Sequence, residues 1–160
     1  MDTNEVLLQT LGISPDQIES RLARRTGAIP EYFGAVIEKS RNLILDVLTD
    51  KNRKEPQFWA IDEDKIKKVF ADYEIVPSFR KAASQYGRCD YRKQRITINF
   101  GNKKVGEAEA YSTLLHEYVH AILYEIVGRN FNHGKEFIFY LTLLCPNRYT
   151  KRITGYDLIK

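Results

Sequence analysis

Residues 107–127 constrain this chain more than any other segment does. Tyr111, Leu114, Leu115, Tyr118, Val119, Ile122 and Ile126 recur there at three- and four-residue steps, the spacing of one buried face on an α-helix. Glu107 and Glu109 put negative charge at the positive end of the helix dipole, and Gly128 supplies a natural stop. Inside this helix stands His116-Glu117-Tyr118-Val119-His120, an H-E-x-x-H motif. Side chains four residues apart on a helix point the same way one turn up, so both imidazoles can reach one metal ion. Glu117 lies beside them, where its carboxylate can hold and deprotonate a water. A purely structural metal site has no use for a glutamate at that position.

The chain has three histidines, and the third, His133, follows the helix-ending Gly128 in a polar loop. A catalytic zinc typically takes three protein ligands and leaves a fourth position open. His116, His120 and His133 therefore make one expected zinc site, for one catalytic ion, with Glu117 as general base. The metzincin spacing is excluded, since the third histidine of that pattern would stand at position 126, where the residue is Ile126. Glu136, and with poorer geometry Glu125, stand as fallback ligands.

Around this helix the periodicity changes several times. Ser14-Pro15-Asp16 reads as a helix start, and Pro30 opens a second helix whose apolar residues run from Tyr32 to Leu48. The polar stretch 50–56 is a connection, which divides the chain into a helical region over 1–55 and a second domain over 56–160. Residues 62–73 fit another amphipathic helix, which Pro77 and Ser78 interrupt. Ser84–Tyr91 and Gln94–Phe100 are short runs on either side of Arg92-Lys93, and Ile96, Ile98 and Phe100 alternate with polar residues. That is strand spacing, and the pair reads as a β-hairpin. An apolar helix after His133 must end by Pro146. The order of helices, hairpin, helix and helix gives an α+β fold in which a small antiparallel sheet packs on the H-E-x-x-H helix.

Composition narrows the class further. At 160 residues the chain can bury one well-packed core, and no run reaches the roughly 20 apolar residues of a membrane helix. An acidic second residue and the absence of a basic, then apolar, start do not match a secretory signal. Two cysteines, Cys89 and Cys145, make no disulfide framework, and with that start they lead to the expectation of a cytoplasmic, nucleoid or nuclear protein. The net charge of +4 is compatible with nucleic-acid contact. Arg88, Arg92, Lys93 and Arg95 cluster on the hairpin with Tyr86 and Tyr91 between them, a pattern able to neutralise phosphates and stack on single-stranded bases. Further basic residues fall at Lys103-Lys104 and at Arg21, Arg24 and Arg25. Segment 94–100 is the expected exposed sheet edge, to which an extended substrate can add. The segment LGISPDQIESRLARRTG reads as helical packing with a faint helix-turn-helix pattern.

The sequence resembles the SprT-like, or Spartan-like, metallopeptidase domain. The H-E-x-x-H helix is followed by His133-Gly134-Lys135-Glu136-Phe137, the H-G-x-x-F motif of that family. Gly87-Arg88-Cys89-Asp90-Tyr91 and Arg95-Ile96-Thr97-Ile98-Asn99 are similar in content and order to the two strands before its active helix. The resemblance covers about residues 62 to 145. It implies a zincin-like fold, zinc on His116, His120 and His133, Glu117 as base, and proteolysis of DNA-bound or DNA-crosslinked protein. Two other functions fit the same residues. One is a regulatory peptidase that cleaves a single partner such as a repressor; the other is a non-catalytic zinc or nucleic-acid-binding module.

Overall fold

The computed structural model describes residues 28–49, 61–81, 85–128 and 132–145. The expected helix at Ser14, the basic residues Arg21, Arg24 and Arg25, and the linker at 50–56 lie outside the described residues. Among the described residues, four helices and a three-stranded sheet form in the order α1 (Phe33–Leu48), α2 (Glu63–Asp72), β1 (Glu74–Ser78), β2 (Gly87–Asp90), β3 (Arg95–Asn99), α3 (Glu107–Val127) and α4 (Lys135–Leu144). This is an α+β arrangement. No described helix is long and apolar enough to cross a membrane.

Helix α1 starts at Phe33 rather than at Pro30, because Pro30 closes the preceding turn by accepting a bond from the Phe33 amide at 3.0 Å. Its buried face is Phe33, Val36, Ser40, Ile44 and Leu48. Ser40 is satisfied inside that face by donating to the Val36 carbonyl at 2.7 Å. Helix α2 begins after Asp62, whose carboxylate accepts from the Asp64 amide at 3.1 Å, an N-cap of the usual kind.

Helix α3 has the bounds its periodicity gives. Its first turn is fixed by Glu109, which accepts from the Gly106 amide at 3.0 Å. It ends at Gly128, whose φ of +85° is a left-handed conformation that a residue with Cβ adopts at a cost. The helix is buried over more of its circumference than the apolar stripe requires, since Ser112, Thr113 and Glu117 are buried as well. The reason is its position: α1, α2, α4, β2 and β3 all pack against it.

The sheet departs from the expected hairpin. Strands β2 and β3 do pair antiparallel, with Gly87 opposite Ile98 and Asp90 opposite Arg95. A third strand, β1, pairs parallel to β3 with Glu74 opposite Arg95, so the sheet is mixed and its order is β1-β3-β2. Segment 94–100 is thus the centre of the sheet and not an edge; among the described residues β1 and β2 are the outer strands. Pro77 hid β1 from the sequence pattern. The Glu74 amide points to β3, where it bonds the Gln94 carbonyl, so the nitrogen of Pro77, three residues on, faces away from the ladder. Proline is tolerated in that place on an edge strand.

Strand alternation then sorts the side chains. Ile96 and Ile98 are fully buried and lie across from Cys89 and Gly87, on the face toward α3. Arg88, Asp90, Arg95 and Thr97 lie on the other face. Helix α1 shares this core: Tyr32 and Phe33 meet Phe100 edge-on at centroid distances of 6.2 and 5.6 Å. Arg41 ties it to the metal-motif helix, donating from Nε to the Tyr118 hydroxyl at 2.9 Å and from Nη2 to the Phe70 carbonyl at 3.3 Å.

Candidate metal centre

His116 and His120 stand one turn apart on α3, and each is half-buried. Asn132 takes a left-handed φ of +51°, and His133 follows it, just before the N-cap Gly134 of α4. His133 is exposed, so the centre is open on one side. The Nε2 atom of His133 lies 3.2 Å from that of His120 and 3.2 Å from that of His116. A tetrahedral ion held by nitrogens at about 2.0–2.1 Å needs those nitrogens roughly 3.3 Å apart. The donor set therefore fits a transition-metal ion in both chemistry and spacing.

The electrostatics agree with that fit. Burial, reinforced by the neighbouring His116 and His133 rings, pushes His120 down to about 3, so its imidazole is neutral and ready to donate a lone pair. Glu117 is buried beside these imidazoles, and burial alone pushes its carboxyl up to about 8. Among the described residues nothing gives Glu117 a hydrogen bond or an ion pair. A buried carboxyl without a partner costs stability, and in a native protein it calls for an explanation.

Strand β2 lies directly over this carboxyl. A Cβ added to Gly87 would meet Thr113 Cγ2 at 2.5 Å, the Thr97 carbonyl at 2.8 Å and Glu117 Cγ at 3.6 Å. Glycine is what lets the strand approach the helix so closely. Cys89 follows on the same face; burial first, then the charge of Glu117, pushes its thiol up.

Two fallback ligands are not needed. Glu125 accepts from the Tyr73 hydroxyl at 2.8 Å, and Glu136 does not join the three histidines. The Tyr118 hydroxyl accepts from Arg41 Nε at 2.9 Å, Tyr140 is fully buried, and Tyr111 lies under the Lys39 ammonium at 4.5 Å. Sequence reasoning gave Tyr91 to the hairpin surface and missed its second position, within electrostatic reach of Glu117 and stacked on Tyr124 at 4.2 Å and 11°. It also missed the place of Phe137, whose ring touches all three imidazoles. The i, i+4 spacing from His133 to Phe137 was the available signal.

The basic cluster stands apart from the centre. Arg88 is exposed on the outer face of β2, and Arg92 and Lys93 are exposed in the 91–94 turn. Arg95 pairs with Glu74 at 3.3 Å. Asp90 accepts from the Lys93 amide at 3.1 Å and sits in the field of Lys93 and Arg88. Tyr91 is not free to stack on a base with both faces, because Tyr124 covers one.

Three imidazoles that could hold a metal ion, beside an isolated buried carboxyl and carried on an α+β framework, are the class of site present. The sequence model of the SprT-like family matches residues 58–152, more than half of the chain, and the chain belongs to that family. Comparison with curated proteins and with solved structures gave no match.

Proposed function

We propose that this chain is a zinc-dependent metalloprotease of the zincin type, acting on protein substrates associated with DNA. The observation that carries the enzymatic reading is the isolated, buried Glu117 carboxyl beside three converging imidazoles. A binding module that only needed the metal would do better with an apolar residue there. His116, His120 and His133 would hold the ion, and the chemistry a zinc ion supplies when bound is Lewis-acid polarisation of a carbonyl and acidification of water.

The protein's own part follows from its geometry. Glu117 takes a proton from the attacking water and returns it to the leaving amine. A positive ion beside it favours the ionised carboxylate that this step needs. Strand β2 ends the sheet among the described residues and packs at Gly87 near Glu117, so an extended substrate added to its outer edge would come close to the centre, held by main-chain hydrogen bonds. The basic cluster on the outer face of the sheet is the proposed contact for nucleic acid, through phosphate neutralisation. The DNA reading rests on family resemblance and on that cluster.

The experiment compares wild type with Glu117→Gln for zinc content and for cleavage of a DNA-bound protein. The expected outcome is retained zinc with cleavage reduced by about 10²–10⁴-fold, the usual worth of a general base. Undiminished cleavage would remove Glu117 from the role. Running both proteins with and without single-stranded DNA separates a DNA-associated protease from a peptidase devoted to one partner.

A further inference from the structure

Phe137 is 2% exposed and stands four residues after His133, in the first turn of α4. Its ring lies 4.1 Å from the His120 ring at 24°, a face-to-face stack. The His116 ring meets it at 4.8 Å and 66°, and the His133 ring at 5.0 Å and 56°. One phenyl ring thus touches every imidazole of the centre, one by its face and two at steep angles.

The three contacts have a common physical meaning. Each imidazole must hold a particular rotation about its χ2 bond for its Nε2 to meet the other two, and χ2 of histidine is a soft torsion. Offset stacking and edge contacts between rings prefer distinct geometries, so a fixed ring in the middle restricts all three at once. A bound cation also draws electron density from the imidazoles. The negative face of an adjacent phenyl ring then attracts them more strongly than it does in the empty site.

We infer that Phe137 is a positioning residue of the metal centre: it holds the three histidine rings in their converging orientation and thereby raises the affinity of the site for its ion. The inference rests on the metal-centre part of the function proposed above, but not on proteolysis. It differs from a mere core role in one respect, namely that losing the ring weakens metal binding more than an equal lesion elsewhere in the same core. Phe100 provides that comparison, being fully buried and surrounded by Tyr32, Phe33 and Phe79 rather than by ligands.

The test measures Zn²⁺ affinity by competition with a chromophoric chelator, and the ligand-field spectrum of the Co²⁺-loaded full chain. Wild type, Phe137→Leu, Phe137→Tyr and Phe100→Leu are compared, with thermal unfolding of each metal-free protein. Phe137→Leu is expected to weaken Zn²⁺ by about tenfold or more and to alter the Co²⁺ spectrum. Phe137→Tyr, which keeps the ring, restores the affinity, and Phe100→Leu lowers the melting temperature without changing either metal readout. A second measurement needs no variant. In the metal-free wild type, the carbon-bound ring protons of His120 should resonate upfield, because they lie over the Phe137 face.

Wild-type affinity in Phe137→Leu would overturn the inference. So would a loss no greater than that of Phe100→Leu, or unshifted His120 ring protons. A wild-type chain that takes up neither Zn²⁺ nor Co²⁺ would overturn the metal centre itself, and this inference with it.

Discussion

The metal centre and the basic hairpin are both clusters of polar residues, and they are built in opposite ways. At the centre, the His133 nitrogen lies 3.2 Å from those of both His116 and His120, and a neighbouring carboxyl is buried with no partner among the described residues. On the hairpin, Arg88, Arg92 and Lys93 are exposed, Arg95 is paired with Glu74, and Asp90 lies among them. The first cluster stores unfavourable energy in a fixed geometry, which is what chemistry on a reacting atom requires. The second keeps its charges solvated and adaptable, which suits long-range attraction to a polyanion. Packing is therefore what distinguishes the two clusters, the one fitted to the proposed chemistry and the other to the proposed contact with nucleic acid; residue type alone does not.

The sharpest way to break this contrast is to titrate the metal-free chain. Folding raises the Glu117 carboxyl from an ordinary 4.5 to about 8. Below pH ~4.3 both folded and unfolded states hold the proton and stability is fully present. As pH rises toward 8 the unfolded chain releases the proton while the folded chain keeps it, so stability is lost, levelling off above 8 at a total on the order of 5 kcal/mol. The wild-type profile itself declines only above about pH 6.5, because His120, pushed down to about 3 by folding, adds a contribution that rises with pH below that value. The Glu117 contribution is therefore read as the difference in unfolding free energy between wild type and Glu117→Gln in a chelator, which should fall steadily from pH 4.5 to 8. A difference that does not change with pH would mean that the carboxyl is not isolated.

Next in size is the loss of a ligand. His133→Ala should reduce Zn²⁺ affinity by more than the roughly 10–100-fold that an outer-shell change costs, as read by chelator competition. Retained affinity would show that the exposed loop histidine is not a ligand. Gly87→Ala probes the close approach of β2 to α3. The added methyl group would collide with Thr113 and with the Thr97 carbonyl, so a destabilisation of about 1–3 kcal/mol is expected in thermal or denaturant unfolding. Because β2 would move off Glu117, cleavage should fall along with stability.

The smallest effect belongs to the hairpin. Reversing Arg92 and Lys93 to Glu should leave zinc content and folding stability nearly unchanged. Binding of single-stranded DNA should weaken, and the slope of log affinity against log salt should fall by about 0.7 for each phosphate that the protein no longer neutralises. If both metal binding and DNA binding respond, the two regions are coupled. If neither does, the hairpin is only a solvated turn.

Much of this is legible without any coordinates. Helix α3 can be read to its ends because helical periodicity, a first-turn glutamate and a terminal glycine are local signals. The pairing of β2 with β3 is readable for the same reason, since a short turn joins them. Strand β1 is not, because its partner is β3, some twenty residues on, and its proline resembles an interruption rather than an edge. With β1 unseen, β3 reads as an edge strand. The bracing of α3 by Arg41 of α1 is equally hidden, as nothing in the spacing of residue 41 from Tyr118 marks a contact.

The sequence by itself determined the chemistry available: three histidines at spacings that one metal ion can join, two of them with a glutamate on a helix whose periodicity is plain and the third in the loop that follows. Tertiary structure decided how that chemistry is tuned. Only the packing of β2 and its neighbours against α3 makes Glu117 a buried, isolated acid. Only the placement of α4 puts one phenyl ring against three imidazoles. Spacing along a chain records which groups can meet, whereas burial and ring orientation arise from segments far apart in sequence, and those decide what the groups do once they have met.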